Sequence, residues 1–241
     1  MTYGELPVGT EFYFGRMDVR SYYGQSVKQD IKWVKVTEDN MAMCERAFSG
    51  YMDAPRCATG NNRAVRKHGN SFFPKTYLRA LLNAQSERCV RVADGDEVPY
   101  FELGGFLSVF TEEELKILEP FNTKYTTPDG YIKEFGKEYV DRTYVSVPSY
   151  EDLAYKFKYN TEHLSRRYRI LTSSVESKCC VADFYGDSIS KKYTFPNSGT
   201  YILPVIKIKA GTDMSQSTDG LFRIDIKEKM LTENIMNLIG D

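Results

Sequence analysis

Alternation of apolar and polar positions runs through the first third of the chain and predicts short strands. EFYFG (11–15), DIKWVKVT (30–37) and NMAMCERAF (40–48) are rich in aromatic or branched residues, and the turn-forming TEDN between the last two predicts a hairpin. RSYYGQSVKQ (20–29), which carries Tyr22 and Tyr23, reads as a polar loop or hairpin tip.

The periodicity then changes. In GNSFFPKTYLRALLNA (69–84), Pro74 suits a first helical turn, where its missing N–H has no partner to lose, and Asn70 or Ser71 is placed to cap. Tyr77, Leu78, Leu81 and Leu82 form an apolar stripe, with Arg79 and Asn83 one turn apart beside it. No base or nucleophile stands at a fixed spacing from that pair, so the expected role is to brace neighbouring loops. FTEEEL (110–115) predicts a second helix: Thr111 is its N-cap, Glu114 the capping-box partner, and Phe110 with Leu115 a hydrophobic staple. The three consecutive glutamates are accounted for by the positive end of that helix rather than by a metal. Pro120 ends it.

In DRTYVSVPSYEDLAYKF (141–157) a strand TYVSV precedes Ser149, a cap with Asp152 three positions on and Leu153 opening an apolar stripe. RYRILTSS (167–174), KCCVADFYG (178–186), KKYTF (191–195) and TYILPVIKIKA (200–210) read as strands, and Pro204 predicts a sheet edge or bulge in the last. This division gives a domain over 1–210, a polar linker over 211–220, and a strand–helix appendage over 221–241 whose helix runs from Thr232 to Leu238.

Composition narrows the classes. The 241 residues suffice for a substantial core, and 32 basic against 33 acidic side chains leave a net charge of -1. A protein that neutralises many phosphates carries a basic surplus, so nucleic acid is not an expected partner. There is no basic-then-apolar leader and no run of about 18 apolar residues, which predicts a chain made in the cytoplasm without a membrane span. The cysteines, Cys44, Cys57, Cys89, Cys179 and Cys180, are odd in number and lack a CxxC pair, so reduced thiols are expected. Tyrosine is the conspicuous residue: 18 Tyr and 14 Phe accompany one Trp. Its flat apolar body and single hydroxyl suit both core edges and recognition surfaces.

Chemistry-bearing patterns are sparse. His68 and His163 have no HxH, HExxH or HxxxH companion, and no phosphate loop, nucleophile elbow or dinucleotide turn occurs. Gly104 and Gly105 read as a turn. Asp94, Asp96 and Glu97 in VADGDEVP lack the full alternation of a calcium loop, and Asp183 and Asp187 read as flanks of a hairpin turn. No metal, cofactor or catalytic residue is expected.

The order of motifs resembles a domain family of unknown function widespread in anaerobic gut bacteria and their phages. The carriers are VGTEFYFG (8–15), IKWVKV (31–36), KTYLRALLN (75–83), FTEEEL (110–115), TYVSVPSYEDL (143–153), RYRILTSS (167–174) and TYILPVIKI (200–208). Arg167 and Tyr168 stand where the family has paired tryptophans, and Leu203 stands where an arginine precedes the proline. The resemblance implies an α+β fold of small twisted antiparallel sheets, a few short helices and long loops, similar to C-type-lectin-like and formylglycine-generating-enzyme-like domains. The calcium triplets of sugar-binding lectins and the paired cysteines of the oxidase are missing from the chain.

The resemblance implies a non-enzymatic structural or binding component of a phage or prophage particle: baseplate, tail, fibre or capsid decoration. Its partners would be other particle subunits or further copies of itself, and it would reside in the virion. Ile235, Met236, Leu238 and Ile239 are expected either to contact a neighbouring subunit or to pack back on their own domain. The alternatives are a module recognising a host-surface glycan or protein through Tyr22 and Tyr23, and an enzyme with an unrecognised site.

Overall fold

The computed structural model describes residues 1–20, 26–45, 48–50, 72–85, 90–93, 96–99, 105–127, 129–157, 169–172, 179–185, 188–194, 200–224 and 226. The arrangement is α+β: mostly strands, in two sheets and two separate hairpins, with a few short helices.

The larger sheet has seven strands. It comprises β1 (Glu11–Arg20), β2 (Ser26–Lys35), β3 (Met41–Cys44), β9 (Val145–Ser146), β14 (Val205–Lys207), β15 (Met214–Gln216) and β16 (Phe222–Ile224), in the order β15-β16-β1-β2-β3-β14-β9. The smaller has five, β4 (Phe48–Gly50), β10 (Arg169–Thr172), β11 (Cys179–Tyr185), β12 (Ser188–Thr194) and β13 (Thr200–Ile202), ordered β12-β11-β10-β13-β4. β5 (Val90–Ala93) with β6 (Asp96–Pro99), and β7 (Phe121–Thr126) with β8 (Glu138–Thr143), form the hairpins. The helices are α1 (Tyr77–Leu82), α2 (Glu112–Ile117) and α3 (Ile132–Phe135). Both sheets are mixed rather than purely antiparallel, because β1 runs parallel to β16 and β10 parallel to β13.

Period-2 alternation explains the cores. On one face of the large sheet Phe12, Phe14, Ile31, Trp33, Ala42, Cys44 and Ile206 meet Leu78, Leu82 and Phe110 in the main core. On the other, Val34, Met43 and Val205 join Val36, Leu153 and Leu203 in a second core, against which Tyr150, Phe157 and Ile189 of β12 pack. Ile189 thus brings β12 of the small sheet to the second cluster, while Ile202 of β13 joins the main core.

Two segmentations differ from the sequence pattern. NMAMCERAF is not one strand, since β3 ends at Cys44 and β4 belongs to the other sheet. TYILPVIKI likewise splits: β13 ends at Ile202, β14 begins at Val205, and Leu203 and Pro204 carry the chain between sheets. Proline has no N–H to continue a ladder, but its carbonyl still accepts from the Cys44 amide at 2.9 Å.

The expected linker over 211–220 is a correction. Met214–Gln216 pairs antiparallel with Phe222–Ile224, and β16 lies beside β1 with Phe12 opposite Phe222. Buried Met214 and half-buried Phe222 and Ile224 place this hairpin on the main core, so at least residues 214–224 belong to the sheet. The apolar face of the hairpin gains more by covering Phe12 than a free linker would. The expected helix from Thr232 to Leu238 lies outside the described residues.

Candidate functional site

The polar residues singled out by the sequence motifs converge on backbone. Pro74 opens a separate 3-10 turn, Phe73–Lys75, and α1 starts after Thr76, whose hydroxyl accepts from the Arg79 amide at 3.2 Å. Asn70 and Ser71, the expected caps, lie outside the described residues. From α1, Arg79 donates to both carboxylate oxygens of Asp141 on β8, Nε to Oδ2 at 3.1 Å and one terminal nitrogen to Oδ1 at 2.9 Å. Asp141 is 3% exposed. The Asn83 side chain donates to the carbonyls of Arg79 and Val145 at 3.0 and 2.8 Å and accepts from the amides of Tyr144 and Val145 at 3.0 and 3.1 Å. Together they bind α1 to the β8–β9 segment.

A second node lies at β1. Between Tyr13 and Arg16 the register with β2 slips by a bulge. The bulged residues have lost ladder partners. Trp33 Nε1 donates to the Phe14 carbonyl at 2.9 Å, and the Gly15 amide donates to Glu114 Oε1 at 3.2 Å. The other oxygen of Glu114 accepts from the Thr111 amide at 2.8 Å, and Thr111 Oγ1 accepts from the Glu114 amide at 3.2 Å, which completes the capping box of α2. Gly15 has φ of 73°, and a Cβ there would stand 2.7 Å from the Phe110 ring. The FG pair of the opening motif is thus a bulge pressed against an aromatic ring.

Sequence reasoning missed Lys35. It is fully buried, and its Nζ donates to the carbonyls of Tyr3, Gly4 and Leu6 at 3.2, 3.2 and 2.8 Å. Burial pushes its ammonium below the ordinary lysine range. Three oxygens and the Tyr3 ring, 5.2 Å from Nζ, stabilise the charge it keeps. The available signal was the alternation Ile31, Trp33, Lys35, which puts a lysine on an apolar face.

At the surface, two features stand out. Asp30 on β2 bonds Arg16 at 2.8 Å and Arg223 of β16 at 2.7 Å, and the Arg223 guanidinium lies 4.6 Å from the Tyr13 ring. Partial burial opposes ionisation of Asp30, yet its hydrogen bonds to Arg223 and Arg16 hold it below the usual carboxylate range. The other feature is a tyrosine corner. Ser149 and Asp152 exchange hydrogen bonds of 3.0 Å and start a π-type turn over Asp152–Lys156, where an ordinary helix was expected. The turn displays Tyr155, 78% exposed, at 85° to the Tyr150 ring with centroids 6.3 Å apart. Burial and the neighbouring Tyr155 hold the Tyr150 phenol above the ordinary range.

Tyr22, Tyr23, Ile235, Met236, Leu238 and Ile239, along with His68 and His163, lie outside the described residues. Cys44 is a buried cysteine whose Sγ lies 3.7 Å from the Lys32 carbonyl. Among the described residues no group of three His, Cys, Asp or Glu is placed to hold a metal ion, and no helix is long and apolar enough to cross a membrane. No family model, curated protein or solved structure matches the chain.

Proposed function

We propose that this protein is a non-enzymatic structural or binding component of a phage or prophage particle, assembling through subunit contacts. The observation that carries the proposal is where the motif side chains go. Arg79, Asn83, Thr111 and Glu114 bond backbone or a buried carboxylate. Such bonds close a rigid frame and leave binding to its surface. The motif order supports the particle setting through its resemblance to a phage-associated family. The same resemblance is the support for a C-type-lectin-like arrangement of the α+β fold.

Density-gradient purification of particles released by the encoding bacterium after prophage induction tests this, with mass spectrometry of the fractions. The protein should co-sediment with particles in proportion to their structural subunits. Recovery only from the soluble fraction would overturn the proposal. A recognition module is the second reading, favoured by the exposed rings of Tyr144 and Tyr155.

A further inference from the structure

We propose that the Tyr150–Tyr155 corner is a binding platform for an uncharged, pyranose-containing glycan. Tyr155 is the most exposed large apolar side chain among the described residues. Its turn is nevertheless pinned. Leu153 is buried in the second core, the Phe157 amide donates to the Asp152 carbonyl at 2.8 Å, and Lys156 reaches Asp152 Oδ1 at 2.9 Å. A ring held out on an ordered turn loses little freedom on binding, the property expected of a recognition surface.

The surroundings select the ligand. Tyr150 forms the second wall, fixed by a 3.4 Å hydrogen bond from its hydroxyl to the Ile189 carbonyl. At the rim Lys191 meets Glu151 at 3.7 Å and Lys156 meets Asp152, so each charge has an opposite charge beside it. Among the described residues these two pairs interleave donors and acceptors and leave no net charge between them. A pyranose suits that pattern: one face of the sugar is largely C–H and packs on a tyrosine ring, while its peripheral hydroxyls both donate and accept. A cationic ligand fits worse, because the Lys191 ammonium already lies 5.9 Å from the Tyr150 centroid. A folded protein needs roughly 800 Å² on each side of a stable interface, far more than two rings supply. The inference deepens the recognition-module reading and does not depend on the particle reading.

Biolayer interferometry on immobilised maltohexaose, cellohexaose, xylohexaose and chitohexaose tests it, with the full chain, Tyr155→Ala and Tyr155→Phe compared. The parent should bind at least one of them. Tyr155→Ala should weaken that binding about tenfold or more, a free-energy change of one decade in affinity, whereas Tyr155→Phe keeps the ring and should stay close to the parent. Binding should persist at about 0.5 M NaCl, where surface charges are screened within a few ångströms. Tyr155 is exposed, so both variants should keep the parent's circular dichroism and melting midpoint. Failure to bind any of the four sugars, binding unaffected by Tyr155→Ala, or binding abolished by salt would overturn the inference. Particle co-sedimentation is a separate readout, so either proposal can fail alone.

Discussion

Glu114 accepts a hydrogen bond from the Gly15 amide at 3.2 Å, across 99 positions of sequence. One carboxylate thus caps its own helix and closes the bulge in the central hairpin. Gly15→Ala combines a positive φ with a Cβ inside contact distance of Phe110, and should destabilise the fold by about 2–4 kcal/mol. Glu114→Ala leaves the part-buried Gly15 amide without its acceptor, while water reaches the exposed Thr111 amide, and should cost about 1–3 kcal/mol. Urea denaturation followed by Trp33 fluorescence measures both, since Trp33 bonds the same bulge.

The Arg79–Asp141 pair is asymmetric. Asp141 is 3% exposed, whereas the arginine side chain is 31% exposed. Removing the arginine strands a buried carboxylate; removing the aspartate leaves a guanidinium that water can reach. Arg79→Ala should therefore cost about 3–5 kcal/mol and Asp141→Ala clearly less. Equal costs in denaturant titrations would contradict that assignment of burial.

Alkaline pH should separate Lys35 from the surface lysines. Its folded pKa lies below the unfolded value of about 10.4, so in that window the unfolded chain binds the extra proton and stability rises with pH. Tyr3, raised by burial and then by the Asp39 charge, acts oppositely above about pH 10. The difference between wild type and Lys35→Met, measured by denaturation from neutral pH to just below pH 10, isolates the lysine. The wild type should gain on the variant as pH increases. A flat difference would refute the depressed value.

Deleting residues 215–241 should not leave an intact domain. The deletion takes β16 away from β1, uncovers Phe12 and removes Arg223 from Asp30. The loss of Phe222 and Ile224 alone should cost about 2–5 kcal/mol. Thermal melting of the truncated chain should show a lowered midpoint.

Legibility in the sequence followed range. The α2 cap was readable because Thr111 and Glu114 are three residues apart, and the β2–β3 hairpin because TEDN sits between two alternating runs. The β7–β8 hairpin was missed: FNTKYT and EYVDRT are predominantly polar, with mainly Tyr125, Asp141 and Thr143 turned inward. The π-type turn was read as a plain helix, since a cap signals where winding begins but not its pitch. The partners of Arg79, Gly15 and Lys35 lie 29 to 99 positions away, and only the fold brings them together.

Leu203 and Pro204 leave no slack where the chain passes from one sheet to the other. An insertion of a single residue at this joint would invert the alternation of β14, turning Ile206 out of the main core and Val205 out of the second at once. Length at this point is therefore less negotiable than identity: an apolar exchange of similar volume at Leu203 would leave both sheets in register, whereas a longer crossing would not.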